Sequence, residues 1–122
     1  MVRRVVITGG ASGIGRVMAK AFMALGDRVA VCDYDQKSIQ DMEVAYPKCL
    51  SYCADVCDEA AMSTFFANVD EAFEGVDILI SNAGTGGPAG GIETLIYEDW
   101  RTCISVNLDG AFLSCRWAAE AM

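Results

Sequence analysis

The residues best suited to chemistry in this chain are the run Thr8-Gly9-Gly10-Ala11-Ser12-Gly13-Ile14-Gly15. Small residues at this density let a backbone turn sharply and approach a ligand closely. A helix that opens directly from such a turn aims unbonded N–H groups at negative charge, and a pyrophosphate is the group this arrangement suits. Gly9, Ser12, Gly13, Ile14 and Gly15 are the candidate contacts. The competing reading is a tight strand-to-helix turn that binds nothing.

Asp33 closes a second apolar run 18 residues after Gly15. That is close to the ~20-residue interval at which an acidic side chain reaches the adenosine ribose of a dinucleotide. A carboxylate there accepts hydrogen bonds from the ribose hydroxyls and repels a 2′-phosphate, which predicts NAD in preference to NADP. Tyr34, beside it, joins the candidate cofactor site. Arg16 is the one nearby cation, and it lies inside the helix rather than next to Asp33. The alternative for Asp33 is an ordinary turn carboxylate beside Asp35.

These residues need elements to hold them. Residues 3 to 8 form a short β-branched run of the kind buried in parallel sheets. Ile14, Val17, Met18, Ala21, Phe22 and Leu25 then recur at helical spacing, and Gly26 can end that helix. Val29 to Asp33 repeats the strand signal, and Asp35 can cap a helix carrying Ile39, Met42 and Tyr46 that Pro47 stops. A third strand is predicted from about Leu50 to Ala54. Asp58 caps a longer helix with Met62, Phe65, Phe66, Val69 and Phe73 on one face, closed by Gly75, and Val76 to Ser81 is the fourth strand. Strands alternating with long helices predict right-handed βαβ units in a doubly wound α/β sheet. The glycine-rich stretch from Gly84 to Gly91 reads as a mobile loop, placed after a strand's carboxyl end where open α/β sheets bind ligands. From about Glu98 to Met122 the pattern is helical again, without a convincing N-cap. Trp100, Ile104, Leu108, Phe112 and Cys115 track one face there, and an irregularity is expected near Asn107 and Gly110.

The chain has 122 residues, 53% hydrophobic and 21% charged, so it is built to fold as a single domain rather than to stay disordered. A net charge of −8 argues against nucleic acid and anionic membrane as partners. No apolar run approaches the ~18 residues of a membrane span, and Met1-Val2-Arg3-Arg4 leads into a strand-like segment rather than a signal core. A soluble, cytoplasmic protein is expected. The six cysteines then read as reduced thiols. Residues four apart in a strand are separated by about 13 Å, so Cys49 and Cys53 should not share a metal ion; buried structural cysteine is expected and no metal site is assigned. With no histidine in the chain, Ser-His-Asp and Cys-His catalysis are excluded.

The spacing TGxxxGxG over residues 8 to 15 resembles the short-chain dehydrogenase/reductase family. Asp55-Val56 is similar to that family's adenine-binding pair. Ser81-Asn82-Ala83-Gly84 resembles its Asn-Asn-Ala-Gly element, with Ser81 replacing the first Asn. Ser105-Val106-Asn107-Leu108 resembles its helix motif with the catalytic Asn. The resemblance covers essentially the whole chain. It implies a three-layer Rossmann-type parallel sheet, here truncated after about four strands, and a cofactor site that adds Asp55, Val56, Asn82, Ala83 and Gly84. It assigns Asn107 a catalytic place, holding a water in a proton relay. It also implies hydride transfer between NAD and an alcohol or carbonyl substrate in a parent enzyme that is a homo-oligomer.

In such enzymes a Tyr acts as general acid/base, with a Lys four positions on and a Ser that orients the substrate. None of Tyr34, Tyr46, Tyr52 or Tyr97 has that Lys, and Tyr97 has Arg101 in its place. The chain ends within the helix carrying Asn107, so it reads as the cofactor-binding half of the machinery. Alone it is expected to bind cofactor weakly or not at all and to be inactive, with an open strand edge and an exposed apolar helix face that favour association. A non-catalytic NAD-sensing module and a gene fragment without function are the other readings.

Overall fold

The computed structural model describes residues 1–122. In chain order the elements are β1 (Arg4–Thr8), α1 (Gly13–Ala24), β2 (Arg28–Asp33), α2 (Gln36–Ala45), β3 (Leu50–Cys53), α3 (Glu59–Phe73), β4 (Ile78–Ser81), a 3-10 turn (Ile92–Thr94), α4 (Tyr97–Ile104), a π-helical segment (Ser105–Asp109) and α5 (Gly110–Ala121). The strands form one parallel sheet in the order β3-β2-β1-β4. This is the doubly wound α/β architecture expected from the alternation of strand and helix patterns.

Side chains alternate across a strand, and that alternation sorts the core into two layers. Val5 and Ile7 of β1 pack with Val29 and Val31 of β2 against Ala19 of α1 and Ile39 and Met42 of α2. Val6, Ala30 and Cys32 face the other way, onto Met62, Phe65, Phe66, Val69 and Phe73 of α3 and Ala118 of α5. Phe66 stacks on Trp117 at 4.4 Å between ring centroids, and the Trp117 indole donates to Asp70, so α5 is held against α3. The apolar faces expected for α2 and α3 are the buried ones. Asp35 and Asp58 accept hydrogen bonds from the backbone N–H groups of Ser38 and Ala61, as N-caps do. At the end of α3 it is Glu74 that takes the left-handed conformation, with Gly75 following at positive φ.

Helix α1 departs from the expected stripe. Ile14, Val17, Ala21 and Leu25 are exposed, while Gly15 and Ala19 are buried and Met18 and Phe22 half-buried. Apolar residues cover most of this helix, so periodicity alone does not select the face. The short path from the glycine turn brings the helix close to the sheet, and the smallest side chains take the contact. The same rule holds in α5, where Gly110, Ser114 and Ala118 are buried at helical spacing and a Cβ at Gly110 would lie 2.7 Å from Cγ2 of Val56. Trp100, Leu108, Phe112 and Cys115 form the outer side. The expected irregularity is the π-helical segment, and α4 starts without a side-chain cap. Strand β4 lies at one edge of the sheet, with Ile78, Leu79 and Ile80 half-buried.

The end of the sheet opposite the site is fastened by arginines. The backbone N–H of Arg4 donates to Asp77 at 2.7 Å, its guanidinium pairs with both Asp77 oxygens, and Nη1 donates to the Glu74 carbonyl at 2.9 Å. Arg3 holds Asp27 in the same way. The hydrogen bonds from the Arg4 side chain push the Asp77 carboxyl down to about 2. A lowered folded-state value stabilises the fold fully above the unfolded value of ~4, and this contribution is lost as pH falls through 2. Denaturant unfolding at a series of pH values should therefore show Asp77→Asn with a shallower loss of stability between about pH 4 and pH 2 than the parent chain. An identical acid limb would disprove the pairing.

Candidate active site

The parallel register brings the carboxyl ends of all four strands to one rim: Thr8 lies level with Cys32 and Ser81, and Asp33 level with Cys53. Thr8 is 1% exposed, and its hydroxyl accepts hydrogen bonds from the backbone N–H groups of Asn82 and Ala83 at 3.0 and 3.1 Å. The Asn82 side chain returns the tie, with Nδ2 donating to the carbonyls of Thr8 (3.1 Å) and Gly9 (3.2 Å). The ends of β1 and β4 are thus locked to each other, and the glycine turn starts from this lock.

Within the turn, Gly13 has φ +53°, a conformation costly for any residue with a side chain. Gly15 is where the helix meets the turn: a Cβ there would strike the Gly9 carbonyl and lie 2.6 Å from Nδ2 of Asn82. Only glycine lets α1 begin so close. The first N–H groups of α1 have no partner within the helix, and they open toward the rim. Ser12, the N-cap residue, does not cap with its side chain. Its hydroxyl donates instead to Oδ2 of Asp33 at 3.3 Å, as does the backbone N–H of Ala11, while the Asp35 N–H donates to Oδ1 at 3.1 Å. Asp33 is 4% exposed and is held against the turn by these three donors.

Between the strand ends lies a cleft of about 390 Å³. Of the residues singled out in the sequence, Gly9, Ser12, Asp33, Tyr34, Asp55, Val56, Asn82, Ala83 and Gly84 line it. Gly13 and Ile14 are exposed at the start of α1, and Gly15 is buried beneath the turn. Asn107 does not line the cleft. It sits in the π-helical segment, where Oδ1 accepts from the Thr85 N–H at 2.9 Å and Nδ2 donates to the Thr85 carbonyl at 2.8 Å. Its side chain is therefore spent on the cleft wall. Ala54, Thr85, Thr102 and Val106 also line the cleft, and Thr8 organises it. Ala54 and Thr85 adjoin motif residues. Thr102 and Val106 lie one helical turn apart, a spacing that marks a shared face only once the helix is seen to cross the strand ends.

Burial pushes the Cys32 thiol up to about 12 and the Cys49 thiol to about 11. The Cys57 thiol also rises to about 11 through burial and its hydrogen bond to Asp55 at 3.1 Å. All three are protonated at neutral pH and poor nucleophiles. The set Cys49, Cys53 and Cys57 splits, since Cys49 is buried, Cys57 half-buried and Cys53 exposed. Cys53, at the β3 end, thus departs from the expectation of buried cysteine.

The short chain dehydrogenase family model matches residues 3–122, and the chain belongs to that family. It is 34% identical to a short chain dehydrogenase/reductase of Macrophomina phaseolina, covering 96% of this chain and 70% of the relative. The structure of levodione reductase superposes with a TM-score of 0.92 at 30% identity, over 98% of this chain and 49% of that one. That of a 3-ketoacyl-(acyl-carrier-protein) reductase from Brucella melitensis, complexed with NADH, gives 0.91 at 29% identity over 98% and 50%. The chain spans about half the length of these structures, and 44% to 49% of several further curated relatives. The four motifs that suggested the family are the segments that build the rim.

The Asn82 tie generates a test. Asn82→Ala leaves the carbonyls of Thr8 and Gly9 without a donor, and should cost about 1–3 kcal/mol in urea unfolding. Amide exchange in residues 9–15 should quicken with it. Unchanged stability together with unchanged exchange would show that the tie does not hold the turn.

Proposed function

We propose that this chain is the cofactor-binding part of an NAD-dependent oxidoreductase that transfers hydride between NAD and an alcohol or carbonyl substrate. The observation that carries this reading is the Asp33 carboxylate, fixed to the glycine turn by Ala11 and Ser12 and lining the cleft. Oδ2 is filled by the Ala11 and Ser12 donors, but Oδ1 accepts only the Asp35 N–H and keeps a lone pair for a ribose hydroxyl, and the carboxylate charge opposes a 2′-phosphate. Gly9, Ser12, Gly13, Ile14 and Gly15 would hold the pyrophosphate at the α1 N-terminus. Asp33 and Tyr34 would hold the adenosine ribose, and Asp55 and Val56 the adenine. Asn82, Ala83 and Gly84 would lead toward the nicotinamide. Bound NAD supplies the hydride acceptor, or in its reduced form the donor.

Asn107 is proposed as the catalytic residue of this segment. Its side chain holds Thr85, and it stands in a π-helical segment, whose hydrogen bonding departs from the α pattern. Proton transfer to the substrate needs a titratable group within reach, and no Tyr-x-x-x-Lys pair stands in these residues. The catalytic step is therefore assigned to sequence beyond them, and the 122 residues alone are proposed to be inactive. The protein is proposed to work in the cytoplasm on a small molecule, as a homo-oligomer joined through the exposed Trp100 of α4, Leu108 of the π-helical segment and Phe112 of α5.

Ligand-observed NMR, which detects weak binding, tests the cofactor: NADH should contact the chain more strongly than NADPH. Equal or stronger contact by NADPH would overturn the reading of Asp33. Sedimentation tests the association: the chain should form dimers or larger species, and Leu108→Glu should shift them toward monomer. A wild-type monomer at high concentration would contradict the proposed surface.

A further inference from the structure

The wall of the cleft after β4 is held from one side by two neighbouring residues of the α4 helix and the π-helical segment, and only one of them belongs to a recognised motif. Asn107 grips Thr85 through both backbone groups. An amide nitrogen carries two hydrogens, and the Thr85 carbonyl takes one. The other is directed at Sγ of Cys103, 3.2 Å from Nδ2. Cys103 precedes Asn107 by one helical turn, and its own thiol lies 3.9 Å from the Thr85 carbonyl as a weak second donor. Reversing the Asn107 amide would set its oxygen against the Thr85 carbonyl and its nitrogen against the Thr85 N–H. The acceptor at Cys103 thus favours the only orientation that holds Thr85.

Packing points the same way. A Cβ at Gly84 would lie 2.6 Å from Oδ1 of Asn107, and one at Gly87 would lie 3.0 Å from Sγ of Cys103. Residues 84–87 therefore rest directly on these two side chains. Gly84 and Thr85 of the same segment line the cleft, together with Thr102, the neighbour of Cys103.

We propose that Cys103 is a positioning residue: its sulfur accepts the second Asn107 amide hydrogen, orients that side chain, and so sets the position of the Thr85 wall of the cleft. Its bearing on catalysis rests on the proposed function, in which this wall borders the nicotinamide end of the cofactor. The side-chain geometry does not depend on that reading.

The test compares Cys103→Ala, Cys103→Val and Cys103→Ser in the full chain by hydrogen exchange at the Thr85 amide. Losing one hydrogen bond that orients a second should speed exchange in the Ala and Val variants roughly five- to tenfold. Val fills the space without an acceptor, and Ser supplies an acceptor with little bulk. Rescue by Ser and not by Val therefore separates hydrogen bonding from space filling. Rescue by Val, failure of Ser to rescue, or no change in Ala would each overturn the proposal. The wild-type chain gives an answer that needs no variant: both Asn107 Nδ2 hydrogens should exchange slowly with water, and one fast-exchanging hydrogen would overturn it. No cofactor enters these measurements. Loss of Thr85 protection in a chain that contacts NADPH as strongly as NADH, or more so, would overturn the reading of Asp33 and leave the role of Cys103 supported.

Discussion

Everything at the functional end of this molecule depends on how the ends of β1 and β4 are tied. Parallel strands bring their carboxyl ends to one side, but that alone leaves several loops with unpaired backbone groups at the same rim. Thr8 and Asn82 resolve this with four hydrogen bonds, two onto the Thr8 hydroxyl and two from the Asn82 amide. The Gly9 carbonyl is used in the same lock, so the glycine turn has a fixed starting point. Gly15 is then required to be glycine by the atoms of this lock, since the Gly9 carbonyl and Nδ2 of Asn82 occupy the space a side chain would need. The turn's composition and the strand-four motif answer one packing problem.

Asp33 extends the same arrangement to the second strand. A carboxylate with 4% exposure would be costly to bury without partners, and it receives hydrogen bonds from Ala11, Ser12 and Asp35. Ser12 gives up the usual N-cap hydrogen bond to contribute one of them, which leaves the first amides of α1 without a side-chain partner. A negative charge at the end of the second strand and the positive end of α1 therefore adjoin at one rim, joined through Ser12.

The far wall is built by a different device. Asn107 holds the Thr85 backbone as an adjoining strand would, and Cys103 completes its hydrogen bonding. The helix carrying both comes near the sheet because Gly110, Ser114 and Ala118 face inward and the bulky residues face out. Close packing by small residues is common to α1 and α5, and it leaves each with an apolar outer side. On α1 that side includes Ile14 at the rim, and on α4 and α5 it includes Trp100 and Phe112.

The alternation of strand and helix, the parallel sheet and the buried faces of α2 and α3 were legible in the sequence, because there hydrophobic periodicity and capping residues agree. The glycine turn and Asp33 were legible because local spacing reflects a local backbone requirement, whereas residues 55–56 and 82–84 were marked only by their resemblance to a family's motifs. Which side of α1 is buried was not, since its apolar residues surround the helix and only contact with the sheet chooses among them. Thr85, Thr102 and Cys103 also escaped sequence reading, and Thr8 and Asn107 acquired structural tasks that their motifs do not express. These residues act through partners about twenty to seventy-five positions away, or through a helix face turned to the strand ends. The sequence by itself therefore determined the elements and most of the residues that gather at the rim; tertiary structure decided which side chains hold that rim in place, because hydrogen bonds between distant strand ends exist only once the sheet is assembled.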